Sequence, residues 1–442
     1  MRRLRNLPAP TLRLYLLACA PAVLLVLGSF DPWFTGAAAG VILALVLVTL
    51  TDHSLAASSR MLTVQRLHHP RLYIGADNRI ELAIENRSSR DILVRLRDTP
   101  PVSFSATSLV TAGVAAAHGA TVLAYVVRPR SRGRFSFGGV TLRCLTPLGL
   151  LWRQHAYALT EEVDVYPNLL EVEKYDLLVR RDLLRNAGLR VTRNLDRGTE
   201  FASLREYQPD DDFRRINWKA TARRHRPITN VYETERSKRL LIALDVGRMM
   251  APRVGELTRL DVAVNTALLL AYVALMKGDR VGLLTFADGV QAYTPTRGGR
   301  GHFYTIVQQL YDARAQYVEP DYNRAFARMR TDLRGRSMVA LFTDTSDQIV
   351  AQSIARHLAL LARHHLAICV TLSDTELRNT GERLPDSGAQ LYQKVVALKL
   401  MEEREALLEG MRRNGVLTVD VPADQMALAT INRYLEAKER AL

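Results

Sequence analysis

Cysteine is scarce in this chain of 442 residues, which contains three: Cys19, Cys144 and Cys369. They lie far apart in the sequence and none belongs to a CxxC pair, so the sequence predicts neither a disulfide framework nor a zinc site. This scarcity is typical of a protein that resides in a reducing compartment.

The chain also lacks the common catalytic and nucleotide-binding motifs. It has no GxSxG nucleophile elbow, and the glycine-rich run at 298–301 is not followed by the Lys-Ser or Lys-Thr of a P-loop. The adjacent pairs His68-His69 and His364-His365 have side chains that diverge in a strand or a helix, which disfavours a shared metal ion. We therefore expect no enzyme activity and no small-molecule substrate.

Acidic residues are outnumbered, with 45 Asp and Glu against 60 Lys and Arg and a formal net charge of +15. An excess of this kind favours anionic lipid, nucleic acid or acidic protein partners. Arginine-rich flanks of membrane spans explain the excess without any ligand. Trp218 lies beside Lys219, but no aromatic repeat follows for stacking on bases, so we expect no nucleic-acid partner.

Long apolar runs occur near the beginning of the sequence. The runs Leu14–Phe30 and Trp33–Leu50 are almost uncharged, and each is close to the roughly 20 residues that cross a hydrocarbon core of ~30 Å. Asp31 and Pro32 leave room only for a tight turn between them. Residues 1–56 are therefore predicted to form a transmembrane helical hairpin in contact with the lipid bilayer.

The charges around these runs predict their orientation. Arginines precede the first run, Arg60 and Arg66 follow the second, and the turn between them has none. The positive-inside rule then places both ends and the soluble domains in the cytoplasm, as in a two-pass inner-membrane protein. A cleavable signal peptide is the alternative, which the second apolar run disfavours.

Residues 57–167 show the alternation of short β-strands. Turn residues separate four such segments. The pattern predicts an antiparallel β-sandwich of immunoglobulin-like shape. The basic turn Arg128–Arg134 is interpreted as a solvated loop, with contact to anionic lipid as the alternative. The segments are Arg79–Ile84, Ile92–Leu96, Val122–Val127 and Phe135–Leu142.

Residues 238–442 alternate between apolar runs and helical patterns, which predicts a doubly wound α/β domain with helices on both faces of a parallel sheet. Ligands bind such sheets at the carboxyl ends of the strands. The predicted strands are Leu240–Val246, Val281–Ala287, Met338–Thr343, Leu366–Leu372 and Val416–Val421. The predicted helices are Leu257–Lys277, His302–Ala313, Asn323–Arg330, Ile349–His364, Glu402–Asn414 and Ala423–Lys438.

Residues 168–237 contain a linker, with a short helix predicted near Tyr175–Arg185, and then a dense polar motif. The motif is Arg205-Glu206-Tyr207, Asp211-Asp212, Arg214, Ile216, Trp218, Ala222 and Arg223. It resembles the signature of the domain of unknown function 58 family, R-E-Y-x-x-G-D-D-x-R-x-I-x-W-x-x-x-A-R. Asp210 stands where that family usually has Gly.

This resemblance implies more than the residues show. Family members are membrane-anchored and join the signature to a von Willebrand factor type A (vWA)-like domain, which is the expectation for residues 238–442. The family also implies a partnership with a MoxR-type AAA ATPase acting on a client protein.

The signature is predicted to be a salt-bridged segment that docks on the next domain. Asp210–Asp212 precede the amphipathic run Phe213–Arg224, where carboxylates would favour a helix N-terminus. The alternative is a binding site for an anionic ligand or an acidic protein surface. Its candidate residues are Arg205, Glu206, Tyr207, Asp211, Asp212, Arg214, Trp218, Lys219 and Arg223.

The vWA-like resemblance raises the question of a magnesium site, which needs D-x-S-x-S, a Thr and a later Asp. Asp245 and Asp344 remain, whereas Gly247 and Met249 replace both serines and Pro320 stands near the expected Thr. Mg²⁺ prefers oxygen ligands in octahedral geometry. We therefore expect a degenerate site without a cofactor, in which backbone N–H groups or the adjacent Arg248 satisfy the two acids.

Together these patterns predict a membrane-anchored, non-enzymatic interaction or assembly adaptor. Two alternatives stay open. One is a metal-dependent hydrolase that uses Asp211, Asp245 and Asp344, and the other is a protein that binds anionic lipid or nucleic acid through its net charge.

Overall fold

The structure, a computed structural model, describes residues 8–58, 60–170, 172, 174, 200–208, 211, 213–233, 238–333, 335–346 and 348–440. It divides into two compact units, Met1–Tyr166 and Pro167–Leu442. The helix predicted near Tyr175–Arg185 lies outside the described residues, as do Asp210 and Asp212.

The first unit begins with two apolar helices, α1 (Leu12–Leu27) and α2 (Pro32–Leu55). Thr11 and Asp31 cap their N-termini, and Pro32 occupies the first turn of α2, where its missing N–H costs nothing. At 24 residues and a mean hydropathy of 2.2, α2 is long and apolar enough to cross a membrane, whereas α1 is a shorter apolar helix. The two predicted apolar helices are thus present, and α2 continues past its predicted end at Leu50.

The rest of the first unit is rich in β-sheet. Its sheets have the strand orders β1-β11-β10-β5-β7, β2-β4-β8-β6 and β3-β12-β9. The strands are β1 (Ala9–Pro10), β2 (Leu62–His68), β3 (Arg71–Tyr73), β4 (Asn78–Asn86), β5 (Ile92–Arg97), β6 (Phe104–Ala106), β7 (Val110–Ala115), β8 (Gly119–Pro129), β9 (Gly133–Phe137), β10 (Val140–Leu145), β11 (Leu151–Tyr157) and β12 (Glu161–Tyr166).

Alternation along these strands builds the core. In β4, Ile80, Leu82 and Ile84 are buried while Arg79 and Glu81 face outward, as the period of two requires. The strand pairs are antiparallel except for β3 and β12, which are parallel, so the prediction of a purely antiparallel unit is wrong at this pair. The immunoglobulin-like shape stays a prediction.

The loop at residues 146–150 of the sheet-rich unit forms hydrogen bonds with the start of α1 and the end of α2. Asp52, near the end of α2, is fully buried and accepts hydrogen bonds from Thr146 Oγ1 (2.5 Å), Leu148 N (2.8 Å) and Leu150 N (3.2 Å). Thr11, which precedes α1, donates from its hydroxyl to Gly149 O (2.7 Å). Because one loop binds both helices, the helix pair and the sheets form one body.

The second unit contains the signature segment. Strands β13 (Glu200–Glu206) and β14 (Ile228–Glu233) form an antiparallel hairpin. A 3₁₀ turn at Phe213–Arg215 and helix α3 (Trp218–Arg224) lie between these strands in the sequence. The predicted single helix over Phe213–Arg224 is therefore wrong, since Ile216 forms a bridge with Thr229 and Asn217 caps α3.

The remainder is an α/β region with a mixed sheet of order β19-β18-β15-β20-β21-β22, in which β19 is antiparallel and the other strands are parallel. The strands are β15 (Arg239–Asp245), β18 (Arg280–Phe286), β19 (Val290–Arg297), β20 (Met338–Phe342), β21 (Leu366–Leu372) and β22 (Leu417–Val421), beside a small hairpin of β16 (Arg253–Val254) and β17 (Leu257–Thr258). The helices are α4 (Arg259–Met276), α5 (Arg300–Asp312), α6 (Tyr322–Asp332), α7 (Gln348–Ala362), α8 (Thr375–Glu382), α9 (Gly388–Arg413) and α10 (Met426–Arg440).

The five predicted strands and six predicted helices are confirmed in type, while β19 and α8 were not predicted. Helix α9 begins at Gly388, whereas the sequence predicted its start at Glu402. The first half was missed because residues 388–400 carry apolar side chains around most of the helix and show no amphipathic period.

Helices cover both faces of the sheet. Leu241, Leu341 and Cys369 pack with residues of α6, α7 and α9, and α4 and α10 contact the strands from the opposite face. The chain leaves β15 for α4 and leaves β20 for α7, so these neighbouring strands lead to opposite faces. A crevice forms at such a switch point, beside the carboxyl ends of β15 and β20.

Candidate functional site

Asp245 ends β15 at this crevice and is satisfied by the protein itself. Its side chain is buried, with 1% of the residue exposed. Oδ1 accepts from Gly247 N (2.7 Å), and Oδ2 accepts from the hydroxyls of Tyr322 (2.7 Å) and Thr343 (2.7 Å). Burial raises the pKa of Asp245 above its ordinary value, although these three donors oppose the rise.

Asp344 follows β20 and is bound by two arginines. Arg259, the first residue of α4, forms an ion pair with Oδ2, and Arg404 Nη1 of α9 lies 3.8 Å from Oδ1. Ser346 also donates from its hydroxyl to Oδ1 (2.8 Å). The carboxylate is 3% exposed, so its charge is neutralised from within the protein.

Arg404 connects this edge to the last strand. Its Nη2 donates to Asp420 Oδ1 (2.8 Å), Thr371 Oγ1 (2.9 Å) and Leu372 O (2.7 Å). Burial opposes the charge of Arg404, but the hydrogen bonds and charges of Asp420 and Asp344 outweigh that effect and raise its pKa. The carboxyl ends of β20, β21 and β22 are thus joined by one ionic network.

The residues at this edge do not fit a magnesium ion. Asp344 is held by guanidinium groups, and Asp245 by hydroxyl and amide donors, so neither offers a free oxygen ligand. A Cβ on Gly247 would lie 2.9 Å from Pro320 Cδ, which leaves no room there for the family's serine. Within the described residues, no group of three or more His, Cys, Asp or Glu side chains is placed to hold a metal ion.

Of the two predicted ways to satisfy the acids, backbone N–H groups are found at both, with Gly247 N on Asp245 (2.7 Å) and Ser346 N on Asp344 (3.3 Å). The alternative, neutralisation by Arg248, is wrong. Arg248 forms an ion pair with Glu319 (2.7 Å) at the surface, where both side chains are about half exposed.

The sequence did indicate that Thr343 or Ser346 lies near the two acids, and both hydroxyls donate to them. Sequence reasoning missed Tyr322, Arg259 and Arg404. Tyr322 follows Asp321 in the loop already singled out, whereas the two arginines are remote in sequence and carry no motif.

Magnesium is therefore expected to leave the stability of the full chain unchanged. A site with Kd near 100 µM would add about 2.7 kcal/mol at about 10 mM ion and raise the melting temperature by degrees. We expect no such rise when the EDTA-treated protein is titrated with MgCl₂ or MnCl₂ in a thermal-shift assay. An ion-specific increase that NaCl does not reproduce would contradict this interpretation of the edge.

The signature residues form a separate polar cluster. Arg205 pairs with Asp211 (2.5 Å), whose other carboxylate oxygen accepts from Gln208 N (2.9 Å), and the hydroxyl of Tyr207 donates to Asp211 O (3.1 Å). Glu206 pairs with Arg226 (3.2 Å). The carboxylate of Asp211 thus binds the end of β13 and the residue after Tyr207, and it does not cap α3.

Several signature side chains face outward. Phe213 is 65% exposed and Trp218 is 70% exposed, while Arg214, Lys219 and Arg223 are exposed as well. Asn217 holds α3 in place, because it caps Ala220 N (3.0 Å) and donates to Asn230 Oδ1 (2.9 Å). The aromatic and cationic groups therefore project from a small folded support, the signature face, which we define as Phe213, Arg214, Trp218, Lys219 and Arg223.

These features define a protein with apolar N-terminal helices, a sheet-rich unit, and an α/β unit whose carboxyl edge is closed by its own ion pairs. Residues 203–402 match the model of the family described as "Protein of unknown function DUF58". The match confirms, over those residues, the resemblance that the signature predicted.

Two curated proteins are similar to part of the chain. The uncharacterized protein Rv1480 of Mycobacterium tuberculosis is 26% identical over 189 residues, which are 42% of this chain and 59% of that protein. The uncharacterized protein YeaD of Bacillus subtilis is 26% identical over 198 residues, 45% of this chain and 47% of that protein. The chain thus spans less than two thirds of the length of these curated relatives.

Among solved structures, the conserved hypothetical protein BatB from Bacteroides thetaiotaomicron aligns with a TM-score of 0.33 and 15% identity. The alignment covers 46% of this chain and all of that chain.

Proposed function

We propose that the chain is a membrane-anchored, non-enzymatic adaptor that binds an acidic surface of a partner protein through its signature face. The observation that carries this proposal is the exposure of Phe213 and Trp218 beside Arg214, Lys219 and Arg223. Aromatic residues and arginine are enriched at protein interfaces, and tryptophan is the residue type most enriched among interface hot spots.

The proposed anchor is the helix pair α1–α2, which inserts in the inner membrane with both ends in the cytoplasm. The length and apolar surface of α2 support insertion, and the arginines on either side of the pair support this orientation. The α/β unit is proposed to be vWA-like. At its carboxyl edge, the guanidinium groups of Arg259 and Arg404 occupy the place beside Asp344 that a metal ion takes in vWA domains with a magnesium site.

The partner we propose is the one that the family resemblance implies, a MoxR-type AAA ATPase that acts on a client protein. The three acids that a hydrolase would use are all engaged, which favours an adaptor: Asp245 and Asp344 are held by donors of the protein itself, and Asp211 forms an ion pair with Arg205. General acid–base chemistry needs a group that can exchange a proton with a substrate.

Replacing Trp218 with alanine is expected to weaken binding to the MoxR-type AAA ATPase of the same organism at least tenfold. An interface tryptophan that acts as a hot spot contributes about 2 kcal/mol or more. The measurement is biolayer interferometry with the full chain in nanodiscs, comparing wild type, Phe213→Ala and Trp218→Ala. The proposal also expects the tightest binding at low salt, because Arg214, Lys219 and Arg223 steer an acidic surface.

Tyr317→Ala serves as the matched control, because Tyr317 is an aromatic residue that is 87% exposed and lies outside the signature face. If the Tyr317 and Trp218 variants bind equally well, the signature face is not the contact. If the ATPase fails to bind the wild type, and pull-downs from native membranes also recover no AAA ATPase, the partner is wrong.

A further inference from the structure

Helix α9 exposes an apolar surface that the α/β unit does not cover. Over its first half, Leu391 is 53% exposed, Tyr392 is 72% exposed and Val395 is 57% exposed, while Ala397 on the opposite side is buried. Large apolar side chains clustered on one exposed helix mark an interaction surface.

One stripe along α9 has the spacing of a coiled-coil seam. Its positions follow one another at intervals of four and three residues, and we call this set the α9 stripe. All of its members are exposed or half-buried. The stripe consists of Tyr392, Val396, Lys399, Glu403, Ala406 and Gly410.

The residues of the α9 stripe are complementary to those of an identical stripe that runs antiparallel to it. About position 401, Lys399 is opposite Glu403, bulky Val396 is opposite small Ala406, and bulky Tyr392 is opposite Gly410. We propose that α9 packs antiparallel against α9 of a second copy of this chain around a two-fold axis near position 401. An interface with a two-fold axis uses the same patch on both copies, so residue i meets j and j meets i.

The charges and the space around the stripe both support this partner. Lys399 and Glu403 form no ion pair within the described part of the chain, so both charges are available to a second copy. A Cβ on Gly410 would meet no atom within 4 Å, which leaves open space for the ring of Tyr392 from the second copy.

A charge-reversal cycle tests the contact in the full chain. Lys399→Glu and Glu403→Lys each place like charges opposite one another twice, so each is expected to raise the dimer dissociation constant at least tenfold. The double variant Lys399→Glu/Glu403→Lys restores opposite charges and is expected to return to within about threefold of wild type. Sedimentation equilibrium in density-matched detergent gives the dissociation constants.

Glu405→Lys is the control for charge, because Glu405 lies on α9 but outside the stripe and pairs with exposed Arg412. It is expected to leave the dissociation constant unchanged. A monomeric wild type overturns the proposal. Dimerisation that neither single variant weakens, or that the double variant fails to restore, places the contact elsewhere and overturns it too.

Disulfide trapping gives a second readout that does not depend on charge. In a Cys19→Ser background, Val396→Cys with Ala406→Cys is expected to form a covalent dimer under mild oxidation, while Val396→Cys with Glu405→Cys is not. The two remaining thiols, Cys144 and Cys369, are buried with pKa values raised to about 12 by that burial, so they stay unreactive. Equal trapping by both pairs would contradict the antiparallel register. The proposal does not depend on the adaptor function, since the ATPase partner enters neither experiment.

Discussion

Replacing Asp52 with leucine is expected to destabilise the first unit by about 3 kcal/mol or more, one of the largest effects of any single substitution in the chain. The change removes the acceptor of three donors: the buried hydroxyl of Thr146, the buried amide of Leu150 and the partly buried amide of Leu148. Each buried donor without a partner costs about 1–3 kcal/mol. Thr146 can still donate to Leu151 O (2.9 Å), so the two amides account for most of the loss.

The measurement is urea unfolding of the full chain in detergent, combined with limited proteolysis. We expect Asp52→Leu to unfold at lower urea concentration and to be cleaved near residues 146–150. Asp52→Asn keeps one carbonyl acceptor and is expected to lose roughly half as much stability. Ser54→Ala is the control, because the exposed Ser54 hydroxyl bonds only within its own helix, to Thr51 O. If Asp52→Leu and Ser54→Ala behave alike, the loop does not hold the helix pair.

The two apolar helices could be predicted from the sequence, but the contact between Asp52 and the loop at 146–150 could not. The apolar helices were predictable because length and composition are local properties of the chain. A carboxylate in an apolar helix is conspicuous, but its donors lie more than ninety positions away, and nothing in the pattern joins the two. The sequence predicted the elements and not the contact that fixes them to each other.

At the carboxyl edge of the α/β sheet, the strands were likewise predictable and the partners of their acidic residues were not. Continuous apolar runs identified β15 and β20, so Asp245 and Asp344 were predictable as neighbours at one edge of a sheet. The missing serines also predicted the loss of magnesium ligands. The Arg248 alternative was wrong because adjacency in sequence does not decide which guanidinium reaches a carboxylate. Arg259 reaches Asp344 because the capping box of Thr258 and Asp261 starts α4 at that residue.

Strand β19 and the first half of α9 were missed for a different reason. The segment Val290–Arg297 contains Pro295 and is only partly buried, which is typical of an edge strand and weakens the apolar pattern. In α9, apolar residues occupy positions that a solvated helix would give to polar ones, so the amphipathic period disappears. The same departure makes α9 a candidate interface.

Replacing Arg259 with methionine is expected to cost about 3 kcal/mol, because it leaves the buried carboxylate of Asp344 with a more distant partner, Arg404 at 3.8 Å. Removing one member of a buried ion pair typically costs about 3–5 kcal/mol. Arg259 is 13% exposed and Asp344 is 3% exposed, so solvent screens the pair little. The effect is measured by urea unfolding of the full chain, and added NaCl is expected to change it only slightly.

A double-mutant cycle separates the pair from its surroundings. Asp344→Leu alone leaves Arg259 with Asp374 at 3.6 Å, and the double variant Arg259→Met/Asp344→Leu is expected to be more stable than Arg259→Met, since no buried charge is left unpaired. Arg248→Met is the matched control, because the exposed pair with Glu319 contributes about 0–1 kcal/mol. If Arg259→Met costs no more than Arg248→Met, water reaches Asp344 and the edge is open. An open edge would also be able to admit a cation, so the same result would predict a thermal shift with magnesium.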